Sequence, residues 1–311
     1  MSVRAWLGVY LRGAAMGAAD AVPGVSGGTI ALITGIYARL IDAIAGLDPR
    51  TALALLGPSV RTPIDADARA TVRDELVAMD VPFLCVLGVG VLSAVVTVAN
   101  VVQYFLDARP VATYAFFFGL VLASVLVLAD TVSLGTPRHV AAAVVGFVLA
   151  FVASGTAGGQ LPTGPVTTFL VGALAICAMV LPGISGSLIL LTLGQYDRMT
   201  GAVHGATAAA LAGDVGALGE HATTLVVFMA GALVGLLSFA RVVAWAFEHY
   251  RTATLTFLVA LMTGALRAPL RLAFADVATL NVVVVGRFIL LALVGALVIV
   301  ALERASGTVG Y

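Results

Sequence analysis

The chain has 311 residues, of which 61% are hydrophobic and 10% charged, and its formal net charge is zero. This balance excludes an ordinary soluble globular domain, and it excludes a nucleic-acid binder working through a basic surface. All 16 basic residues are Arg, and Cys85 and Cys177 fall inside apolar runs as isolated small core residues, without a metal or redox motif.

The N-terminal apolar run, 5–11, is short and interrupted by Arg12, so the reading keeps it in the mature chain. Next comes "GAADAVPGVSGGTIALITGIYARL", residues 17–40, which breaks an oily stretch with Pro23 and Gly24. Pro23 lacks an amide hydrogen and disfavours helix before it, so a first half-helix stops near Val22. Gly24 permits a reversal, and Ser26 is a natural N-cap for a second half-helix running to about Ala45. The hairpin therefore covers 5–45, either re-entrant or as a broken span. A polar loop, 46–81, follows; it carries six acidic residues, and an amphipathic surface helix is expected around 66–79. Apolar runs 82–106, 111–129 and 139–153 are read as three transmembrane helices within 82–153.

The pattern then returns. Residues 182–199, "PGISGSLILLTLGQYDRM", align without gaps on 23–40 at an offset of 159, with nine of 18 positions identical. The matches are Pro23/Pro182, Gly24/Gly183, Ser26/Ser185, Gly27/Gly186, Ile30/Ile189, Leu32/Leu191, Gly35/Gly194, Tyr37/Tyr196 and Arg39/Arg198. Identity concentrated at Pro, Gly and Ser is the mark of an internal repeat. A second hairpin over 165–200 precedes runs 223–247, 253–266 and 282–301, three helices within 223–302. The fold class expected is an all-α polytopic membrane protein of two repeats, 1–156 and 157–311. Three crossings per half would invert the second against the first, an architecture used by many secondary transporters. On that topology ten Arg fall on the face shared by the N-terminus and the 46–81 loop, against four opposite. Both termini are thus expected in the cytoplasm, with the chain multi-pass in the cytoplasmic membrane.

The two breaks, Pro23-Gly24 and Pro182-Gly183, each expose the start of a new helix. Amides of Gly27, Gly28 and Thr29, capped by Ser26, cannot stay unpaired in hydrocarbon. Ser185, Gly186 and Ser187 repeat the construction. A helix N-terminus carries roughly half a positive charge, and glycine lets an anion approach the backbone. Two facing tips would make an anion centre suited to phosphate or carboxylate. Capping by Ser and close helix packing at these glycines is the other reading.

Ionisable residues within apolar spans point to function. Asp20 precedes the first break and has Met179 as its counterpart. It could carry a coupling proton, hold a cation beside the anion, or pair with Arg12 or Arg287. Arg39 and Arg198 recur at matched positions and suit either the interface or charge pairing. Arg241 and Arg287 lie inside apolar runs and could offer a guanidinium fork to phosphate. No catalytic residue, metal site or cofactor is read from the chain. Its four histidines lack ligand spacing, and no nucleophile elbow or Walker loop is present.

"MGAADAVPGVSGGTIALITGIYARL" and "MVLPGISGSLILLTLGQYDRM" resemble the two hallmark segments of the polyprenyl-phosphate (undecaprenyl-phosphate) transporter family. The resemblance covers essentially the whole chain. It implies a flippase that returns a carrier lipid across the cytoplasmic membrane for envelope glycan synthesis. It marks Asp20, Pro23, Gly24, Ser26, Gly27 and Gly28, then Pro182, Gly183, Ser185 and Gly186, as motif residues. The partners implied are the polyprenyl phosphate and the bilayer; a coupling proton or cation is an expectation that rests on Asp20 alone. A small-anion exporter or channel is the alternative, and a membrane phosphatase or scaffold a weaker one. A lipid substrate predicts a groove open between helices, whereas a small anion predicts a sealed path.

Overall fold

A computed structural model describes residues 3–20, 26–47, 73–155, 161–275, 277, 279 and 281–306. It is helical, with no strand among the described residues. Pro23 and Gly24, the expected break of the first hairpin, lie outside the described residues, as does most of the 46–81 loop. Residues 73–78 of that loop are helical, inside the surface helix expected there.

In the first half, α1 (Val3–Asp20) packs against α2 (Gly27–Ile33), and α3 (Tyr37–Ala45) follows. The expected single helix from Ser26 to Ala45 is instead two, bent by 114°. The cause is local. Gly35 takes φ +71° just past the end of α2, and the amide of Ile36 donates to the carbonyl of Ala31. That is the closing bond of a Schellman turn, for which glycine is the favoured residue. The second half repeats it: Gly194 has φ +63°, and the Gln195 amide donates to Leu190.

Two long apolar helices, α4 (Val81–Ala108) and α5 (Pro110–Val127), meet at Arg109, and α6 (Pro137–Ala153) closes the first half. The second half holds α7 (Pro165–Val180), α8 (Gly186–Thr192), α9 (Tyr196–Ala212), α10 (Val215–Ala265), α11 (Arg267–Ala273) and α12 (Val282–Ser306). Helix α10 is two arms, because Tyr250 has non-helical φ −140° and ψ 42°. Thr254 Oγ1 donates to the carbonyl of Ala246, eight residues back, at 3.0 Å. Along a straight helix those residues would stand about 12 Å apart, so the chain folds back on itself at Tyr250. Thr113 Oγ1 makes the same bond to Phe105 at 3.0 Å, across the α4–α5 junction. The two threonines are 141 residues apart, as are their acceptors.

The glycine contacts carry the correspondence further. Gly13 abuts the Leu87 carbonyl, and its repeat partner Gly172 abuts that of Phe228. Gly90 abuts Tyr10, and Gly231 abuts Phe169. Helix α1 thereby packs on α4 as α7 packs on the first arm of α10. Between the halves, Gly295 of α12 meets the Phe116 carbonyl of α5, while Gly146 of α6 meets Phe257 in the second arm. Only a residue without Cβ allows backbones this close, and dispersion over the matched surfaces is what holds helices together in lipid. Outer faces are apolar and exposed, as at Val226 and Leu290. Stretches Pro110–Val127, Val215–Ala273 and Val282–Ala301 are long and apolar enough to cross a bilayer.

Candidate functional site

The two hairpin ends touch. Ser26 is fully buried; its Oγ accepts from the Gly28 amide at 3.2 Å and donates to the Leu181 carbonyl at 3.1 Å. Thr29, also fully buried, accepts from the amide of Gly183 through Oγ1 at 2.9 Å. Two side chains of the first motif thus bond the main chain of the second. Gly183 sits at φ +89° against the Met262 backbone, so glycine is required there for both conformation and space.

The start of α2 is filled from within. The Gly27 amide donates to Asp20 Oδ1 at 2.6 Å, and Ser26 takes the Gly28 amide. A carboxylate on a helix N-terminus is an electrostatically favoured arrangement, and here it occupies the position an anionic ligand would take. At the second tip, Ser185 is buried and its hydroxyl lies 2.7 Å from that of Ser187. The repeat counterpart of the Gly27–Asp20 contact is Gly186 against Met179, which brings no charge. The tips are related in backbone and unlike in charge.

The arginines lie elsewhere. Arg39 forms a two-point ion pair with Asp80, Nε to Oδ2 at 2.6 Å and Nη2 to Oδ1 at 2.9 Å, over the Phe83 ring. Arg198 donates to Gln195 at 3.3 Å. Arg241 donates to the carbonyls of Leu47 and Leu237 and lines a surface cavity with Asp42 and Glu248. Arg287 is on the exposed side of α12, a helix packed along α5. Ser26, Gly27, Gly28, Thr29, Pro182, Gly183 and Ser185 are therefore brought to or beside one locus as far as they are described, and Arg241 and Arg287 are not. Among the described residues Asp20 makes no salt bridge, so its described partner is a main-chain amide rather than Arg12 or Arg287.

Sequence reasoning missed Asp80, whose position before the Val81-Pro82 helix start was the available signal. It also did not place the groove that a lipid substrate predicts; one of about 500 Å³ lies between α6 and both arms of α10. The lining is almost wholly apolar: Leu149, Leu181 and Phe239 mark one end, and Arg138 with Tyr250 the other. Leu149 and Val242 on its wall are exposed to the surroundings, so the groove is open laterally. Leu181 joins the groove to the tips, because its carbonyl is the acceptor for Ser26.

Two apposed motif helices among apolar helices long enough to cross a bilayer fit a polytopic membrane protein of the transporter class. The chain belongs to the VCA0040-like, undecaprenyl phosphate translocase-like family, whose model matches residues 16–289. It is 36% identical over 261 residues to a polyprenyl-phosphate transporter of Vibrio cholerae serotype O1, covering 84% of this chain and 76% of that protein. A polyprenyl-phosphate transporter of Staphylococcus aureus is 27% identical over 275 residues, 85% of each chain. No solved structure matches.

Proposed function

We propose that this protein is a flippase for a polyprenyl phosphate carrier lipid, returning it across the cytoplasmic membrane for reuse in envelope glycan synthesis. The observation that carries the reading is the buried meeting of the two tips beside an apolar groove that opens laterally. A charged headgroup is the costly part of the lipid to move through hydrocarbon, while the chain is at home there. The tips take the headgroup, through Ser26, Gly27, Gly28 and Thr29 on one side and Ser185, Gly186 and Ser187 on the other. Arg241 and Arg287 stand outside this cluster and are not assigned to the headgroup at the tips.

The two halves, 1–156 and 157–311, act as inverted repeats with both termini in the cytoplasm. The paired glycine contacts and the two Thr-closed reversals support that symmetry. Alternating access follows when one half rocks against the other, breaking the Ser26–Leu181 and Thr29–Gly183 bonds on the way. Asp20 holds the Gly27 amide until the phosphate arrives. A proton or cation that neutralises the carboxylate would weaken its hold on that amide and remove the negative charge that opposes a phosphate. Differential affinity for the phosphate in the two states of Asp20 is what shifts the conformational equilibrium.

The open groove favours lipid over a small anion. The test is purified protein in liposomes, presented with undecaprenyl phosphate, undecaprenol or inorganic phosphate. Selective binding and translocation of undecaprenyl phosphate is expected. Equal binding of undecaprenol removes the headgroup assignment, and movement of inorganic phosphate without the lipid establishes the small-anion alternative.

A further inference from the structure

The far end of the apolar groove opens into a second cavity of different character. This cavity, about 320 Å³, shares Arg138, Tyr250 and Ala253 with the groove and adds Arg251, His139 and Glu248. It is polar where the groove is apolar. Arg138 stands in the first turn of α6, and Arg251 opens the second arm directly after the Tyr250 reversal, so both are at helix ends. The guanidinium of Arg138 is stacked on the Tyr250 ring, 4.7 Å from its centroid, which holds its planar fork at the junction of the two cavities. Two guanidiniums face one carboxylate, Glu248, and the balance at the mouth is cationic.

The groove's length also fits. From Arg138 to Leu149 along α6 is about 16 Å, roughly half the thickness of the hydrocarbon layer. Its inner end is Leu181, at the tips. The groove thus runs from a cationic mouth at one membrane face to the buried meeting point of the hairpins. Its volume of about 500 Å³ lies in the range of pockets that enclose a small ligand, about 300–1,000 Å³. A long isoprenoid would place only part of its chain inside and leave the rest in lipid.

We propose that this mouth and groove form a docking station for the polyprenyl phosphate, separate from the tips, with the phosphate on Arg138 and Arg251 and the first isoprene units between α6 and the arms of α10. The inference rests on the proposed function and adds to it a place where the lipid enters or leaves. Charge complementarity selects the headgroup, since a guanidinium fork matches phosphate oxygens and gains nothing from a neutral alcohol. The apolar lining selects the chain. Free phosphate satisfies the first requirement alone.

The experiment uses full-length protein in nanodiscs with undecaprenyl phosphate as probe and undecaprenol and inorganic phosphate as comparison arms. A photoreactive residue replaces Val242, an exposed groove position, or Val226, an exposed position outside it. Adducts with undecaprenyl phosphate are expected from position 242 and not from 226. Arg138→Gln with Arg251→Gln should weaken undecaprenyl phosphate binding about tenfold or more, the size of a lost charge-assisted hydrogen bond, and leave undecaprenol unchanged. Ala142→Trp, which fills the groove, should weaken both lipids. If the wild type binds and moves undecaprenyl phosphate while the arginine variant binds normally and the 242 adduct is no stronger than the 226 adduct, the docking station is wrong and the proposed function stands. If the wild type does not prefer undecaprenyl phosphate to undecaprenol, both fall.

Discussion

Asp20 and Gly27 are joined by a 2.6 Å hydrogen bond in which the amide donates to the carboxylate. The acid closes the last turn of α1 and the amide opens α2, so one bond ties the two limbs of the first hairpin. A methyl group at Gly27 would collide with the same carboxylate. The second hairpin has Gly186 against Met179 in its place, an uncharged side chain that does not compete for an anion. Chemistry that depends on the sign of a local charge therefore belongs to the first tip.

Replacing that acid separates capping from coupling. Asp20→Ala frees the Gly27 amide and removes a negative charge beside the proposed headgroup site. Undecaprenyl phosphate should bind about tenfold tighter, ~1.4 kcal/mol, while loss of the cap lowers stability by about 1 kcal/mol. Asp20→Asn keeps an acceptor for the amide and cannot ionise. It should hold near-native stability and bind undecaprenyl phosphate at least as tightly as wild type, as the neutral acid would, but lose pH-driven translocation in vesicles. Normal transport with a normal pH response in the Asn variant would rule out coupling through Asp20.

The Thr29–Gly183 bond makes a sharper test of how the tips are held. Both groups are buried, so Thr29→Val leaves the Gly183 amide without its acceptor while preserving side-chain shape. The expected loss is about 1–3 kcal/mol, the cost of an unsatisfied buried donor. Thr29→Ser restores the hydroxyl and should recover most of it. Thermal unfolding in detergent reads both, and a Val variant as stable as wild type would mean packing alone joins the tips.

Much of this arrangement was legible because the repeat preserves the residues that set backbone geometry. The position of α2, the Ser26 cap and the pairing of both motifs follow from Pro, Gly and Ser at matched places. The bend after α2 was not foreseen, although Gly35 and Gly194 stood in the alignment as identities. Glycine on a helix face and glycine ending a helix look alike in sequence, and the φ value decides between them. Asp20's partner was hidden for another reason. It is a main-chain group across a chain break, and side-chain pairing rules do not reach it. Arg39 finds Asp80 across 41 residues of chain, a distance at which periodicity carries no information.

That Arg39–Asp80 pair is geometrically good and energetically small. The two side chains are 40% and 33% exposed, so solvent screens most of their attraction. Asp80→Asn should cost under about 1 kcal/mol and cost less still at high salt. Asp80 also has φ +54°, a conformation that Asn accepts and a β-branched residue resists. Asp80→Val should therefore lose a further ~1–2 kcal/mol through backbone strain. Equal melting temperatures for the Asn and Val variants would show that the local conformation relaxes without cost.

The glycines of α4 and α10 offer an internally controlled test of the close helix packing. Gly88 and Gly90 lie one turn or less apart on α4, yet their surroundings differ. A Cβ at Gly88 meets nothing within 4 Å, whereas one at Gly90 runs into the Tyr10 carbonyl of α1. Gly231 on α10 repeats the Gly90 case against Phe169, and Gly286 on α12 repeats the open case. In the open positions alanine only reduces the freedom of the unfolded backbone, so Gly88→Ala and Gly286→Ala should stabilise by about 0.5–1 kcal/mol. In the closed positions the same methyl must push two backbones apart. The obstacle is a carbonyl in a rigid helix, which cannot swing away as a side-chain end would. Gly90→Ala and Gly231→Ala should each destabilise by about 1–3 kcal/mol, the range for an overpacked contact. The sign of the change, read by thermal unfolding of all four variants in one detergent, is the discriminating quantity. Stabilisation at Gly231 would mean that α7 and the first arm of α10 are not in backbone contact at Phe169.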